Sequence, residues 1–404
     1  MPAMSALPFD ARRSASAPFV AVAGLSARML AQSAADAGYQ VAALDLFGDR
    51  DTRRYAKLWL DTGGDGLSID RDKLQAALER VARLPRLIGY VVGSGIEPHI
   101  GWLQQTAKLP RLIGNDADAT AAVREPKRFF ALLDELGIAH PEVAFARPER
   151  PEGWLRKAAD GCGGTHIQPA ENADAHAGYF QRFHAGLPMS ALFLAARGEA
   201  VVIGCAEQFT AASGALPYLH TGSLGPIDLP FGIARQIDFA VRSIAARANL
   251  SGLNSLDFLL DGDTIRVLEV NARPSSTMAL YERAWRDVWP RGLLAAHIDA
   301  CLHDRLPSGH AGQPQCRVAQ QVVFAPIAFT VTRRFSDALF VDPVCHDVPN
   351  AGTHIEAGHP VCTVLVTADT RTALQRELQR HTQRLLQRIE TSLESRHELV
   401  DSHG

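Results

Sequence analysis

The chain has 404 residues, of which 47% are hydrophobic and 21% are charged, and its formal net charge at pH 7 is −3. This length allows two to four domains with their own cores, and the composition is that of a globular rather than a disordered protein. The charge gives no electrostatic basis for binding nucleic acid, and we find no nucleic-acid-reading motif. Every apolar run is shorter than the ~20 residues of a membrane-spanning helix, so a membrane partner is not expected either.

Residues 1–17 are rich in Ala, Ser and Pro and predict a disordered tail. From residue 18 to 115, predicted strands alternate with predicted helices, which indicates a parallel sheet and a Rossmann-like domain. The first turn reads Gly24-x-Ser-x-Arg rather than Gly-x-Gly-x-x-Gly, so a nicotinamide cofactor is not expected. The predicted elements are strands over 19–23, 40–46, 87–92 and 111–115, and helices over 27–37 and 70–83.

A second domain is predicted from residue 116 to 304. It begins with an amphipathic helix over 126–136 that ends at Gly137. Short strands and a glycine-rich loop follow, and a helix over 233–248 precedes a β-hairpin near residue 260. The predicted strands before that helix cover 155–157, 191–196 and 200–206.

The last part of the chain, residues 305–404, predicts a small mixed domain. It opens with a Pro-, Gly- and Ser-rich linker over 305–315, continues with strands over 318–325 and 361–366, and ends in an amphipathic helix.

The six cysteines are far apart and include no Cys-x-x-Cys pair, which fits reduced thiols in the cytoplasm better than a disulfide framework. Cysteine and histidine are nevertheless dense near the C-terminus, and a metal site there is the alternative to plain loops. The Gly and Pro residues between them favour loops. The members of this group are Cys345, His346, His354, His359 and Cys362.

The hairpin carries the strongest chemical pattern in the chain. Two apolar runs flank the turn Asp261-Gly-Asp263, and the return strand places Glu269 and Asn271 on one face, because they are two residues apart. Asp257 on the outgoing strand can lie beside them, and their oxygens suit Mg²⁺. Arg273 follows in the same phase as a fixed cation. The alternative is an ordinary hairpin with solvated acids.

A second pattern precedes the hairpin. Lys157 stands at the end of a short strand, directly before a loop that contains Gly161, Gly163 and Gly164. Glycines let backbone N–H groups approach phosphate oxygens, and a lysine neutralises them, although such a loop alone is a weak signal.

These patterns, in this order over about residues 110–300, resemble the ATP-grasp superfamily. That family has an acidic residue and Glu-x-Asn-x-Arg on a hairpin, and a lysine before a mobile glycine loop. The resemblance implies ATP and Mg²⁺ as cofactors, with Mn²⁺ as an alternative metal, and Asp257, Glu269 and Asn271 as metal ligands. It also implies that the segment around Arg182 binds adenine through its backbone, although the family prefers Glu at that position. The implied nucleotide-binding residues are Lys127, with Arg128 as its alternative, Lys157, Gly161, Gly163, Gly164, Gln181, Arg182 and Phe183.

The implied fold combines α/β and α+β architecture. It has a Rossmann-like parallel-sheet domain over 18–115, a two-lobed nucleotide-binding core over 116–304 and a small mixed domain over 305–404. The chain is most similar to ATP-grasp carboxylate–amine ligases linked to one-carbon coenzyme synthesis, some of which add glutamate to tetrahydromethanopterin- or methylofuran-type coenzymes.

That similarity implies amide formation through an acyl phosphate, with Arg273 and Lys157 as catalytic residues and Ser275 and Ser276 near the substrate. The implied partners are a small carboxylate and an amine, and a homodimer is compatible with the resemblance. Three alternatives stay open: a carboxylase, a small-molecule kinase, and a nucleotide-binding regulator without turnover.

Overall fold

The computed structural model describes residues 16–64, 67–158, 161, 163–172, 178–213, 216–308 and 312–401. The predicted disordered tail therefore falls almost entirely outside the described residues, as does Cys162 in the predicted glycine loop.

The N-terminal part is a four-stranded parallel sheet in the order β3-β2-β1-β4. All five residues of the central strand are buried, because helices cover both faces of the sheet. Val20 and Val22 pack on one face with the first helix, whereas Ala21 and Ala23 pack on the other face against Leu74. The strands are β1 (Phe19–Ala23), β2 (Gln40–Asp45), β3 (Leu58–Asp61) and β4 (Leu87–Val92). The helices are α1 (Arg28–Asp36), α2 (Arg50–Tyr55), α3 (Arg71–Val81) and α4 (Ile100–Gln105), with a 3₁₀ turn at Glu97–His99.

Two details of this domain differ from the sequence prediction. The predicted strand over 111–115 is reduced to one parallel bridge between Tyr90 and Leu112. Helices α2 and α4 and strand β3 were not predicted, because two six-residue helices and a four-residue strand are too short to show a period.

The centre of the molecule is an eight-stranded sheet in the order β13-β12-β9-β10-β11-β14-β18-β16, in which all pairings are antiparallel. Helix α7 (Phe231–Arg247) packs on one face through its buried apolar side chains. Strands β14, β16 and β18 come from the C-terminal segment, so that segment extends the same sheet as the hairpin. The strands are β9 (Leu187–Ala196), β10 (Glu199–Ser213), β11 (Leu216–Gly225), β12 (Gly252–Asp261), β13 (Thr264–Asn271), β14 (Arg317–Phe324), β16 (Cys345–His346) and β18 (Pro360–Ala368).

A small antiparallel sheet, in the order β5-β8-β6-β7, forms the second lobe of the core. Helices α5 (Ala117–Arg124) and α6 (Pro126–Leu136) precede it, and a 3₁₀ turn at Ala170–Asn172 follows its edge strand β7. The strands are β5 (Val143–Ala144), β6 (Trp154–Lys157), β7 (Ile167–Pro169) and β8 (Tyr179–Arg182). A parallel N-terminal sheet joined to a two-lobed, largely antiparallel core confirms the predicted fold class.

The remaining helices are α8 (Met278–Ala284), α9 (Gly292–His303), α10 (Arg333–Phe340) and α11 (Arg371–Asp401), and β15 (Phe329–Thr330) pairs with β17 (His354–Ile355). The predicted stripe on α11 is buried at Leu374, Leu378, Leu385 and Ile389. Within the described ranges, no helix is long and apolar enough to cross a membrane.

Candidate active site

The hairpin formed by β12 and β13 brings the four predicted polar residues together. The strand register places Asp257 directly opposite Glu269, and a register shift follows between Asp257 and Phe258. The side-chain amide of Asn271 donates to Asp257 Oδ2 at 3.1 Å. Arg273 Nη2 donates to Asn271 Oδ1 at 3.1 Å. These contacts join the two carboxylates, the amide and the guanidinium into one polar group on one sheet face.

Arg273 also connects the hairpin to the N-terminal domain. Its Nε donates to Glu97 Oε1 at 2.9 Å, and both side chains are buried. Burial alone would raise the pKa of Glu97, but the neighbouring guanidiniums of Arg273 and Arg124 lower it below its usual range. The sequence gave no sign of this ion pair, because 176 residues separate the partners. Glu97 therefore holds Arg273 in one orientation.

The hairpin acids repel one another. Burial and the charge of Glu269 raise the pKa of Asp257 to about 6. Lys157, which is 4% exposed, faces both acids, and burial lowers its pKa although Glu269 and Asp257 act to raise it. Two carboxylates thus share one nearby ammonium, and the site favours an additional cation.

The donor set fits Mg²⁺. Asp257 Oδ1 is buried without a hydrogen-bond partner among the described residues. Asp257, Glu269 and Asn271 offer two carboxylates and one amide oxygen, the hard ligands that this ion takes. No group of three His, Cys, Asp or Glu residues suited to a metal occurs in the described part of the chain, including the C-terminal Cys/His segment. The predicted metal set therefore depends on the amide oxygen of Asn271.

A cavity of about 540 Å³ lies between the small lobe and the hairpin, a volume within the ordinary range of ligand pockets. Most of the residues predicted for the site line it. These are Lys157, Gly163, Gly164, Gln181, Arg182, Phe183, Asp257, Glu269, Asn271, Arg273, Ser275 and Ser276.

Lys127 and Gly161 are not among the lining residues. Lys127 is exposed, and its Nζ lies 5.6 Å from the centre of the Phe145 ring. Its alternative, Arg128, lies 4.0 Å from Glu125. The role of Lys127 or Arg128 as a phosphate ligand therefore stays a prediction.

The segment predicted to bind adenine leaves β8 at the rim of the cavity. Gln181 is buried, and its Nε2 has no partner among the described residues. The backbone N–H groups of Arg182 and Phe183 already donate to the carbonyls of Glu142 and Gly153. A backbone donor to a ligand must therefore come from the residues just beyond, at 184–186, which also line the cavity.

The long strands β10 and β11 add lining residues that the sequence did not reveal: Gln208, Tyr218 and His220. Burial and the charge of Arg273 lower the pKa of His220 to about 4, so this imidazole is neutral at pH 7. Its backbone N–H donates to Gly163 O at 2.9 Å. A Cβ at Gly164, whose φ is +77°, would lie 1.9 Å from Tyr218 O. The glycine loop thus packs closely on β11, and no sequence motif marks that strand.

A family model described as "ATP-grasp domain" matches residues 127–277 of the chain. This segment contains the small lobe, the glycine loop and the β12–β13 hairpin. A search of curated protein sequences found no match.

Solved structures share the fold at low sequence identity. An N5-carboxyaminoimidazole synthase from Aspergillus clavatus, in complex with ADP and 5-aminoimidazole ribonucleotide, is 13% identical with a TM-score of 0.68, covering 92% of this chain and 99% of its own. Biotin carboxylase from Campylobacter jejuni is 12% identical with a TM-score of 0.66, covering 88% and 89%. A phosphoribosylglycinamide synthetase from Anaerococcus prevotii is 11% identical with a TM-score of 0.62, covering 90% and 97%.

Proposed function

We propose that this chain, which belongs to the ATP-grasp superfamily through residues 127–277, is an ATP-dependent ligase that joins a small carboxylate to an amine. One observation carries the proposal. Asp257, Glu269, Asn271, Arg273 and Lys157 come from two separate sheets and converge on a single cavity. That convergence is what a phosphoryl-transfer site needs, because such chemistry depends on positioning and on stabilising charge.

The proposed roles follow from the contacts. Asp257, Glu269 and Asn271 would hold Mg²⁺, which, when bound, neutralises phosphate charge. Lys157 is placed to bind phosphate oxygens, since its ammonium is buried beside the two carboxylates that would hold the metal. The backbone at Gly163 and Gly164 can approach the same oxygens and exclude water from them.

In the proposed reaction, a substrate carboxylate oxygen bonds to the γ-phosphorus of ATP, and the bond from that phosphorus to ADP breaks. Nitrogen of the amine then bonds to the acyl carbon, phosphate leaves, and the nitrogen loses a proton. Arg273 stabilises the charge that develops on the transferred group, and its ion pair with Glu97 keeps it oriented before the substrate arrives. Ser275 and Ser276 line the same cavity, and their proposed role is to contact the substrate.

The contents of two structural neighbours support the nucleotide and the metal. A carboxyaminoimidazole ribonucleotide synthase from Aspergillus clavatus was solved with ATP. The biotin carboxylase domain of Hydrogenobacter thermophilus 2-oxoglutarate carboxylase was solved with MgADP, ADP and bicarbonate. We further propose glutamate as one substrate, in a cytoplasmic route to a one-carbon coenzyme, and a homodimer as the assembly.

The experiment is ADP release by the purified protein, screened over pairs of carboxylates and amines and beginning with glutamate. We expect Mg²⁺-dependent ADP release only when both partners are present, with an amide as the product. Turnover that requires bicarbonate would instead identify a carboxylase, and a stable phosphorylated product would identify a kinase. ATP binding without turnover for any pair would leave a nucleotide-binding regulator.

The raised pKa of Asp257 predicts how MgADP binding depends on pH. In the metal-free protein this pKa is about 6, above the ordinary 3.8, so the group stabilises the folded state at low pH. That stabilisation is complete below about pH 4 and is lost as the pH rises through 6. Mg²⁺ needs the ionised form, and we therefore expect MgADP to raise the melting temperature more at pH 8 than at pH 5.

Thermal melts with and without MgADP at both pH values measure this difference. Asp257→Asn should remove the pH dependence of the shift, whereas Glu199→Gln, an exposed acid at the far end of the sheet, should preserve it. An equal shift at pH 5 and pH 8 in the wild type would contradict the metal assignment of Asp257.

A further inference from the structure

A second cavity, of about 630 Å³, lies between the N-terminal sheet and the C-terminal strands. It shares no lining residue with the proposed ATP cavity, although the two approach one another at the β1–α1 turn. There the N–H of Leu25 donates to Ser94 O at 2.8 Å; Ser94 lines the first cavity and Ser26 lines the second. The proposed ligase reaction gives this second cavity no role.

Asp49 is the most unusual residue of this cavity. It is 7% exposed, and it precedes helix α2 without capping it. Its carboxylate has no hydrogen bond or ion pair with any described residue, yet it lines the cavity. Burying a carboxylate costs free energy unless a cation or hydrogen-bond donors compensate its charge. The described residues provide no such partner for Asp49.

The neighbouring acids do have partners, which sets Asp49 apart. Asp45 accepts from the backbone N–H groups of Ala27 and Gly48 and from the Trp59 indole. Asp51 accepts from the N–H groups of residues 347 and 348. Asp347 accepts from Arg28 Nε at 3.0 Å.

The electrostatic environment of Asp49 favours a nearby positive charge. Burial and the charges of Asp347, Asp51 and Asp45 raise its pKa well above the ordinary value, against the opposing effect of Arg28. Several other charged lining residues are paired: Lys73 with Asp61 at 2.7 Å, His354 with Glu356 at 3.3 Å, and Asp347 with Arg28 at 3.0 Å. A cationic ligand could therefore pair with Asp49 without breaking an existing ion pair.

Part of the remaining wall is apolar. Phe47 and Leu67 are exposed at 36% and 47% and line the cavity together with Ile355. The described residues form no cluster of three His, Cys, Asp or Glu that could hold a metal, which disfavours an inorganic cation. An anionic recess with an apolar patch in its wall instead matches an amphipathic organic cation.

We propose that this cavity binds a small molecule whose primary ammonium group pairs with Asp49 and whose apolar body lies against Phe47 and Leu67. The proposal concerns binding alone. It does not rest on the ligase reaction, and it can be tested without ATP.

Calorimetric titration with hexylamine, which is protonated at pH 7, tests the proposal, with 1-hexanol and hexanoate as neutral and anionic probes of the same length. For the wild-type protein we expect saturable binding of one hexylammonium ion and at least about tenfold weaker binding of both other probes, because a charge-assisted contact is lost. Asp49→Asn should weaken hexylammonium binding by about the same factor.

The matched control is Asp134→Asn, which removes one exposed carboxylate far from the cavity and should leave hexylammonium binding unchanged. Asp49→Asn should melt no lower than the wild type, since it removes an acid whose ionised form is disfavoured by burial and by three neighbouring carboxylates. Equal binding of 1-hexanol and hexylamine to the wild type would overturn the proposal even without a variant. The proposal would also be overturned if Asp49→Asn left hexylammonium binding intact, or if the wild type showed no saturable binding. In a competition control, MgCl₂ alone must fail to displace the bound amine.

Discussion

Glu269→Gln is expected to lower Mg²⁺-dependent ADP release by at least about a hundredfold while the protein stays folded. Glutamine keeps the shape of Glu269 but removes the charge that lies opposite Asp257 in the hairpin register. Without Mg²⁺ the same change should not destabilise the protein, because the charge of Glu269 raises the pKa of Asp257 to about 6 and therefore opposes its ionisation. Activity should fall while the metal-free melting temperature holds or rises.

Steady-state ADP release and thermal melts, both with and without MgCl₂, separate these effects. Glu199→Gln is the matched control, because Glu199 is an exposed residue of the same central sheet. Asn271→Ala should show the same loss of ADP release through the missing amide oxygen. Activity retained in both Glu269→Gln and Asn271→Ala would exclude the proposed metal site.

Lys157→Met is expected to have the second large effect, and here stability should change as well. The ammonium of Lys157 is buried and faces both Glu269 and Asp257. Methionine keeps the length and apolar contacts of the side chain but leaves the two carboxylates without that positive charge. We expect ATP affinity to fall by at least about tenfold, because a charged contact to phosphate is lost. The metal-free melting temperature should fall too, and MgCl₂ should restore part of it.

Nucleotide titration and melts measured across a range of MgCl₂ concentrations test this prediction. Lys127→Met is the matched control, since Lys127 carries the same charge but is exposed and lies outside the cavity lining. Equal losses of ATP affinity in the two variants would identify Lys127 as a phosphate ligand as well. A Lys157→Met protein with wild-type affinity would remove Lys157 from the site.

Features determined by local periodicity were predicted well. Strand β4 and helix α6 begin and end where their apolar patterns do. The two-residue spacing of Glu269 and Asn271, and the turn before them, predicted a hairpin on which Asp257 can lie beside these residues. The exact register was not predicted, because a register shift between Asp257 and Phe258 places Asp257 opposite Glu269. The segment over 111–115 differs, because its apolar residues support only one bridge at the edge of the sheet.

Residues whose roles depend on distant partners were not predicted. Glu97 meets Arg273 across 176 positions, and His220 reaches the cavity only because β11 packs against the glycine loop. Lys127 was assigned from its place at a helix start; its ammonium lies 5.6 Å from the centre of the Phe145 ring, and its role as a phosphate ligand stays a prediction.

The sequence alone therefore determined the hairpin, the lysine with its glycine loop and the alternating N-terminal domain, because each of these is encoded within one or two neighbouring elements. Only the tertiary structure decided which charges are compensated. Burial, and not residue type, raises the pKa of Asp257 and lowers that of His220. Burial also raises the pKa of Asp49, which has no partner among the described residues. The physical reason is that desolvation and Coulomb interactions depend on distances in space, which sequence spacing does not specify.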